Sequence, residues 1–445
     1  DSKGAILDRF LDWGFTGDLE AIPEGMPVTP FIPLVRISGN PVDTHIAETM
    51  TLLCLNTGTA LSTKARRVTY HARGLPVIDM SFRRMVAGVG GTAEIVRALA
   101  LGGFSGTSHV QAAKMLGLRP VGTHPHSWIM FFGSDRNAFE IYGLLYPENY
   151  CALLDTFDTL KRGAQADIEV TKRLILRQLR VASDEREEET ICAKWSPDQW
   201  RKFLRDNKPN LGNVVYFARN DSGDQEYYTR EIWRAYEEAG LSRVKQIIIT
   251  NDLDEYLLNQ ILDGDAVIHA VGVGTKAVSG LSSTGVVYKL GAIIESDGSI
   301  RSVIKSGSPK KSSVQYPNVP LVLFGSTPAG NTIQGYVVCL PEEVDNLRNG
   351  GTVEVIHPYS PQERIKISFD SAEELLVKIL NKGKLVVSPD VFTDTRAVMA
   401  EAERCFAMLP KPHKRLWYPQ RMKYGLSLGL FEARQKLIQS STVAG

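Results

Sequence analysis

A chain of 445 residues, 43% of them hydrophobic, is long enough for one large or two to three ordinary domains and buries a core without covalent staples. Its 51 Lys+Arg against 50 Asp+Glu leave a net charge of +1, which argues against a protein organised around nucleic-acid phosphates or an anionic membrane and leaves room only for a local basic cleft. The 38 glycines and 22 prolines are ordinary numbers, so collagen-like and low-complexity readings fall away.

In chain order, residues 1–40 read as a short helix followed by Pro/Gly-punctuated strands. Two helices fit 46–56 and 59–73, the first with Ile46, Met50 and Leu53 on one face and the second stopped by Gly74. From Val77 short apolar runs alternate with helical stretches. Strands are expected at 77–80, 121–123, 153–154, 214–218, 246–250 and 266–271, and helices at 94–101, 168–179, 226–239 and 254–262. This alternation predicts a parallel sheet whose length suits a closed or irregular β/α barrel. Residues 183–212 interrupt this rhythm with the run DEREEET and a Trp/Lys/Asp-rich stretch; the acidic run reads as a solvated insertion, a partner-binding patch being the alternative. Beyond Leu290 the chain is rich in strands and turns. It includes an apparent capping box at Ser371 and Glu374, a basic and aromatic stretch from Leu409, and an amphipathic helix at 430–438.

Five scattered cysteines without a C-x-x-C pair read as reduced, buried thiols of a cytoplasmic protein. No apolar run reaches the ~20 residues that span a bilayer, and the first residues carry no signal-peptide pattern. The absence of an initiator Met raises the expectation that an opening segment is missing.

The chemistry gathers behind the strand candidates. Asp79 and Arg83-Arg84, GTHPHS (122–127), Asp155-Thr156, RNDSGD (219–224), TNDLDE (250–255) and GVGT (272–275) each follow an apolar run. Charged, hydroxyl and glycine residues at successive strand ends mark the rim where β/α barrels build active sites, although acidic residues there also serve as helix N-caps. Gly272, Gly274 and Thr275 could point N–H groups and a hydroxyl at a phosphate. Arg219 with Asp221 suits a ligand carrying both phosphate and sugar hydroxyls, and the carboxylates are available to Mg²⁺. A structural ion pair is the bland alternative for that pair. His124 and His126 lack the companions of a metal motif. Beside phosphate-binding loops, His126 is a candidate acid/base or phosphoryl-accepting nucleophile, and otherwise a structural loop histidine.

These loops, in this order, resemble the nicotinate phosphoribosyltransferase family. The resemblance runs from residues 8–25 to 424–438 and is carried by IDMSFRR (78–84), GGFSGTSHVQAAK (102–114), GTHPHSW (122–128), LLDTFDTLKRG (153–163), RNDSGD, TNDLDE, GVGT and VYKL (287–290). It implies an α/β fold: an irregular type II phosphoribosyltransferase barrel over 76–290, with a second α+β domain built from 1–75 and 291–445, working as a homodimer. It further implies ATP-coupled joining of nicotinate to phosphoribosyl pyrophosphate with Mg²⁺. His126 would be the phosphorylated catalytic histidine, and Thr123, Arg219, Asp221, Gly274, Thr275, Arg83 and Asp155 substrate-binding residues. Ser108 stands where nicotinamide-using relatives carry an aspartate, and a hydroxyl there favours the acid. No metal ligands are assigned. The departures are the altered arginine segment 79–88, Asn220 in place of the usual leucine, the long 183–212 segment, and several dozen absent opening residues. Alternatives are a nicotinamide or other base phosphoribosyltransferase and a non-catalytic metabolite-binding paralogue.

Overall fold

The structure is a computed structural model that describes residues 13–86, 89–212, 214–305, 314–328 and 330–443. The helix expected at the chain start lies outside the described residues. The chain divides into two compact units, residues 60–282 and residues 1–59 with 283–445. The expected barrel bounds were 76–290.

Residues 60–282 hold a six-stranded parallel sheet. In chain order the strands are β1 (Val77–Asp79), β2 (Gly106–Thr107), β3 (Cys151–Leu153), β4 (Tyr216–Asn220), β5 (Lys245–Ile249) and β6 (Ala270–Val273). Their order across the sheet is β2-β1-β6-β5-β4-β3. Parallel neighbours demand crossovers, and the helices Thr92–Leu101, Gln165–Gln178, Gln225–Glu238 and Glu255–Asp263 supply them. Both faces are covered, so the strands read as short apolar runs. At the open edge of β2, Pro120 forms one parallel bridge to Thr107. Among the described residues no ladder joins that segment to β3. Instead His124 Nε2 accepts the Leu153 N–H at 3.4 Å, so a side chain spans the seam of the irregular barrel.

In segment 183–212 the acidic run 184–190 is exposed except at Glu188, as a solvated stretch would be, while the residues after it join the core. The segment folds into helices Glu185–Lys194 and Pro197–Asp206 with a final turn at Lys208–Leu211. Trp200, Leu204 and Leu211 enter the main core with Tyr150, Tyr216 and Tyr236. From the acidic run Glu188 alone is buried, gripping Arg177 through both oxygens at 2.6 and 2.7 Å. Helix Pro197–Asp206 is amphipathic, a spacing of four residues placing Trp200 and Leu204 on one side, and Leu211 joins them from the final turn.

The other unit contains two larger sheets. One is antiparallel, in the order Lys384–Leu385, Val377–Asn381, Asp18–Ala21, Val35–Ser38. The other runs Ser360–Phe369, Gly351–His357, Tyr424–Leu426, Gly330–Cys339, Val319–Thr327, Ser371–Glu374. Strict alternation splits its buried residues between two cores: Val322, Phe324, Tyr336 and Val338 face one, Leu321, Leu323, Val337 and Cys339 the other. Helix Leu428–Val443 buries Leu430 in the first.

Three local expectations are corrected. The two helices at 46–56 and 59–73 are one continuous helix, Pro41–His71, because a single glycine, Gly58, weakens a long helix without breaking it. Residues 371–374 form a strand, not a capped helix. Asp370 donates its N–H to Phe324 O and accepts from Ser326 N, which fixes the pairing with Val319–Thr327 and overrides the local capping signal. A capping box does occur at Ser196 and Gln199, at the head of Pro197–Asp206. Cys151, Cys339 and Cys405 are buried and Cys192 is half-buried, whereas Cys54 is exposed; all five thiols are free.

Candidate active site

The carboxyl ends of the strands form the rim, and β4 carries its densest part. Each residue of RNDSGD has its own task. Arg219 Nη1 donates to Thr123 Oγ1 at 2.5 Å. The Asp221 carboxylate accepts the Thr250 hydroxyl and stands 3.6 Å from His126 Nε2. Ser222 Oγ donates to Asp155 Oδ2 at 2.5 Å, and the Asp221 N–H reaches the same oxygen at 3.2 Å. Gly223 has φ +75°, and a β-carbon there would lie 2.5 Å from the Tyr228 ring, so only glycine fits. Asp224 caps Gln225–Glu238 by accepting the Tyr227 N–H.

His126 opens helix His126–Phe132 and is half-exposed. Its Nδ1 meets Thr156 Oγ1 at 3.0 Å, so one ring nitrogen faces a hydroxyl and the other a carboxylate. Thr156 and Asp155 follow β3 and are held by a tight approach behind them. One turn of π-helix, Thr159–Ala164, brings Gly163 so near that a β-carbon would lie 2.0 Å from Leu154 O. His124 points the other way, into the core beside Phe139 and Tyr142. Burial pulls its imidazole down to about 4, so the ring is neutral near pH 7 and free to accept from Leu153.

The structure thus pairs Thr123 with Arg219 and, two residues further along the same chain segment, gathers His126 and Asp155 around Asp221, forming a first group to which Thr156, Ser222 and Thr250 are added. Sequence reasoning saw Thr156 and Thr250 only as members of strand-end loops; a hydroxyl directly at a strand end was the available signal. Arg83, Ser108, Gly274 and Thr275 occupy the neighbouring rim loops of β1, β2 and β6. Among the described residues no direct hydrogen bond links them to the first group. Arg83 lies exposed in the turn Phe82–Arg84, behind Ser81, whose N–H and hydroxyl Asp79 accepts at 2.8 and 2.5 Å. Ser108 donates its N–H to Asp79 O, and Asp79 Oδ2 accepts the Thr107 hydroxyl at 2.6 Å. Asp79 is therefore a buried clasp between loops. Asp254, like Asp224, is a helix cap, so the second acid of each strand-end motif is structural.

Two atoms of the first group are buried without a partner: Asp155 Oδ1 and Arg219 Nε. A buried anion acceptor and a buried cation donor with unused capacity are what a polar, charged ligand would satisfy. Among the described residues no cluster of three or more His, Cys, Asp or Glu side chains could hold a metal ion by itself. A Mg²⁺ carried on substrate phosphates needs only one or two protein carboxylates, and Asp155 and Asp221 fit that need.

Residues 328–434 match the family model of the nicotinate phosphoribosyltransferase C-terminal domain. A nicotinate phosphoribosyltransferase of Mycobacterium tuberculosis is 32% identical over 312 residues, which is 68% of this chain; the chain spans 58% of that relative's length. The Bacillus subtilis nicotinate phosphoribosyltransferase is 27% identical over 417 residues, covering 92% of this chain and 74% of that protein. The crystal structure of human nicotinic acid phosphoribosyltransferase superposes with a TM-score of 0.72 at 21% identity, covering 99% of this chain and 85% of the other, and shares the fold. The type II phosphoribosyltransferase architecture and these relatives place the chain in one family: it belongs to the nicotinate phosphoribosyltransferases.

Proposed function

We propose that this chain catalyses the joining of nicotinate to phosphoribosyl pyrophosphate, giving nicotinate mononucleotide and pyrophosphate in NAD salvage. The observation that carries the reading is the rim at β3 and β4, where Arg219 donates to Thr123 and Asp221 stands against Asp155 and His126, with Asp155 Oδ1 and Arg219 Nε unused. The nicotinate nitrogen attacks the ribose anomeric carbon while the carbon–oxygen bond to pyrophosphate breaks, both electrons leaving with pyrophosphate. Arg219 holds phosphate charge, and Asp221, fixed by Thr250, faces the ribose where positive charge develops. Gly274 and Thr275 offer an N–H and a hydroxyl to the 5′-phosphate, and Arg83 adds positive charge at the same rim. Bound Mg²⁺, held by Asp155 and Asp221, would neutralise pyrophosphate charge.

His126 is the acceptor for the γ-phosphoryl group of ATP. Thr156 and Asp221 hold the ring at its two nitrogens; the nitrogen without a proton attacks phosphorus and displaces ADP, and water later releases phosphate from the ring. Ser108 supports the acid as substrate, because its hydroxyl donates to a carboxylate. We take the working protein to be a cytoplasmic homodimer. No helix of the described residues is long and apolar enough to cross a membrane.

Pyrophosphate release should require nicotinate, phosphoribosyl pyrophosphate and Mg²⁺ and should rise with ATP. His126→Ala should lower the rate by about 10²–10⁴-fold and abolish the ATP effect. Full rate and full ATP stimulation in that variant would remove His126 from the mechanism. Nicotinamide in competition should be a poor substrate, and Ser108→Asp should shift preference towards it; a wild type that prefers the amide would overturn the acid assignment.

A further inference from the structure

Asn220 is fully buried at the end of β4, where the family pattern carries a leucine, and a buried amide has to be explained by its partners. Its Nδ2 donates to Ser222 O at 2.7 Å and to Gln225 Oε1 at 2.9 Å. Gln225 Nε2 passes the link on to Thr250 O at 3.3 Å. Thr250 closes the circuit twice, its N–H donating to Asn220 O at 3.1 Å and its hydroxyl to the Asp221 carboxylate. Asn220 Oδ1 accepts nothing, so the amide is present for what its two N–H groups hold.

We propose that Asn220 and Gln225 form a side-chain clamp, built into this chain behind Asp221, that positions the 221–224 turn and the Thr250 hydroxyl for ribose binding. Neither residue touches substrate; both act through Asp221. A leucine here leaves the turn with its outer ties to Asp155 and the Thr250 hydroxyl on Asp221, and without the inner bonds to Ser222 O and Gln225. The clamp secures it from the inner side as well, joining β4 to β5 across the point where Asp221 must face the sugar. The catalytic consequence rests on the function proposed above, whereas the clamp itself does not.

Asn220→Leu and Gln225→Leu, singly and together, test it by kinetics and by amide hydrogen exchange on the full chain. Each single variant should speed exchange at residues 221–224 by about tenfold or more. Each should also lower kcat/KM for phosphoribosyl pyrophosphate by about ten- to hundredfold, with KM for nicotinate little changed. The double variant should lose no more than either single, because one clamp is broken only once. Additive losses, or exchange and kcat/KM both within twofold of the wild type, would overturn the clamp. If Asn220→Leu fails to fold, Gln225→Leu, on the helix, carries the same decision. A wild type inactive with every base would defeat the proposed function alone; unchanged exchange at 221–224 would then still defeat the clamp, and accelerated exchange would support it.

Discussion

The two ends of the parallel sheet carry similar polar groups and treat them in opposite ways. At the amino-terminal end, Lys245 and Asp167 pair at 2.7 Å with no exposure of either side chain. Tyr150 and Tyr236 donate to Asp167 at 2.9 and 2.5 Å, and Lys245 also donates to Thr171 at 3.3 Å. Burial pulls the Lys245 ammonium down and pushes both tyrosine hydroxyls well above their ordinary value. At the carboxyl end, Asp155 Oδ1 and Arg219 Nε are buried with bonding capacity unused. A closed network serves cohesion. An open one keeps capacity for a ligand, and in this barrel the two are separated by the length of a strand.

Breaking the closed end should cost the most. Lys245→Met leaves the Asp167 carboxylate buried without its cation and should destabilise the protein by about 3–5 kcal/mol in urea unfolding, with turnover per folded molecule unchanged. A cost below about 1 kcal/mol would mean that the pair is not the closed unit described here.

The seam between the ends should respond to acid. The His124 imidazole titrates at about 4 in the fold against 6.5 when unperturbed, so between these values the unfolded chain binds the extra proton. Stability should therefore be intact above about pH 6.5 and fall by roughly 3 kcal/mol as pH drops towards 4. His124→Gln should flatten this part of the unfolding profile, and an unchanged slope would refute the assignment.

The open end should yield the smallest thermodynamic change and a local one. Gly223→Ala forces a side chain into left-handed backbone against Tyr228 and should cost roughly 1–2 kcal/mol. The loss should appear as weaker phosphoribosyl pyrophosphate binding in calorimetry. Wild-type affinity in that variant would show that the turn need not hold its present shape.

What the sequence made legible follows the same division. Strand-end motifs are local in sequence, so Arg219, Asp221, Asp155 and His126 could be named before any coordinates. Their wiring could not: Thr250 reaches Asp221 from another strand, and Asn220 read only as a departure from a pattern. The closed end left no motif, because Lys245, Asp167, Tyr150 and Tyr236 are far apart in sequence. At 183–212 the exposed acidic run was legible from its charge, but that Trp200 and Leu204 after it bury one face of a helix was not. At 371–374 a genuine capping pattern lost to strand pairing, since Asp370 and Ala372 had better partners in Val319–Thr327.

The strand Tyr424–Leu426 lies inside its sheet, between Gly351–His357 and Gly330–Cys339, although it is made last. During synthesis residues 60–282 emerge as one continuous stretch and can fold at once. The sheet around residue 425 stays split for on the order of ten seconds longer at ordinary elongation rates. In that interval Gly330–Cys339 and Gly351–His357 each present an unpaired edge to the cell, the arrangement that invites wrong partners. Arrival of Tyr424–Leu426 pairs three residues of one edge and Ile356 of the other, bridging the split sheet, so premature chain termination before Tyr424 should be far more damaging to solubility than the loss of so short a strand suggests.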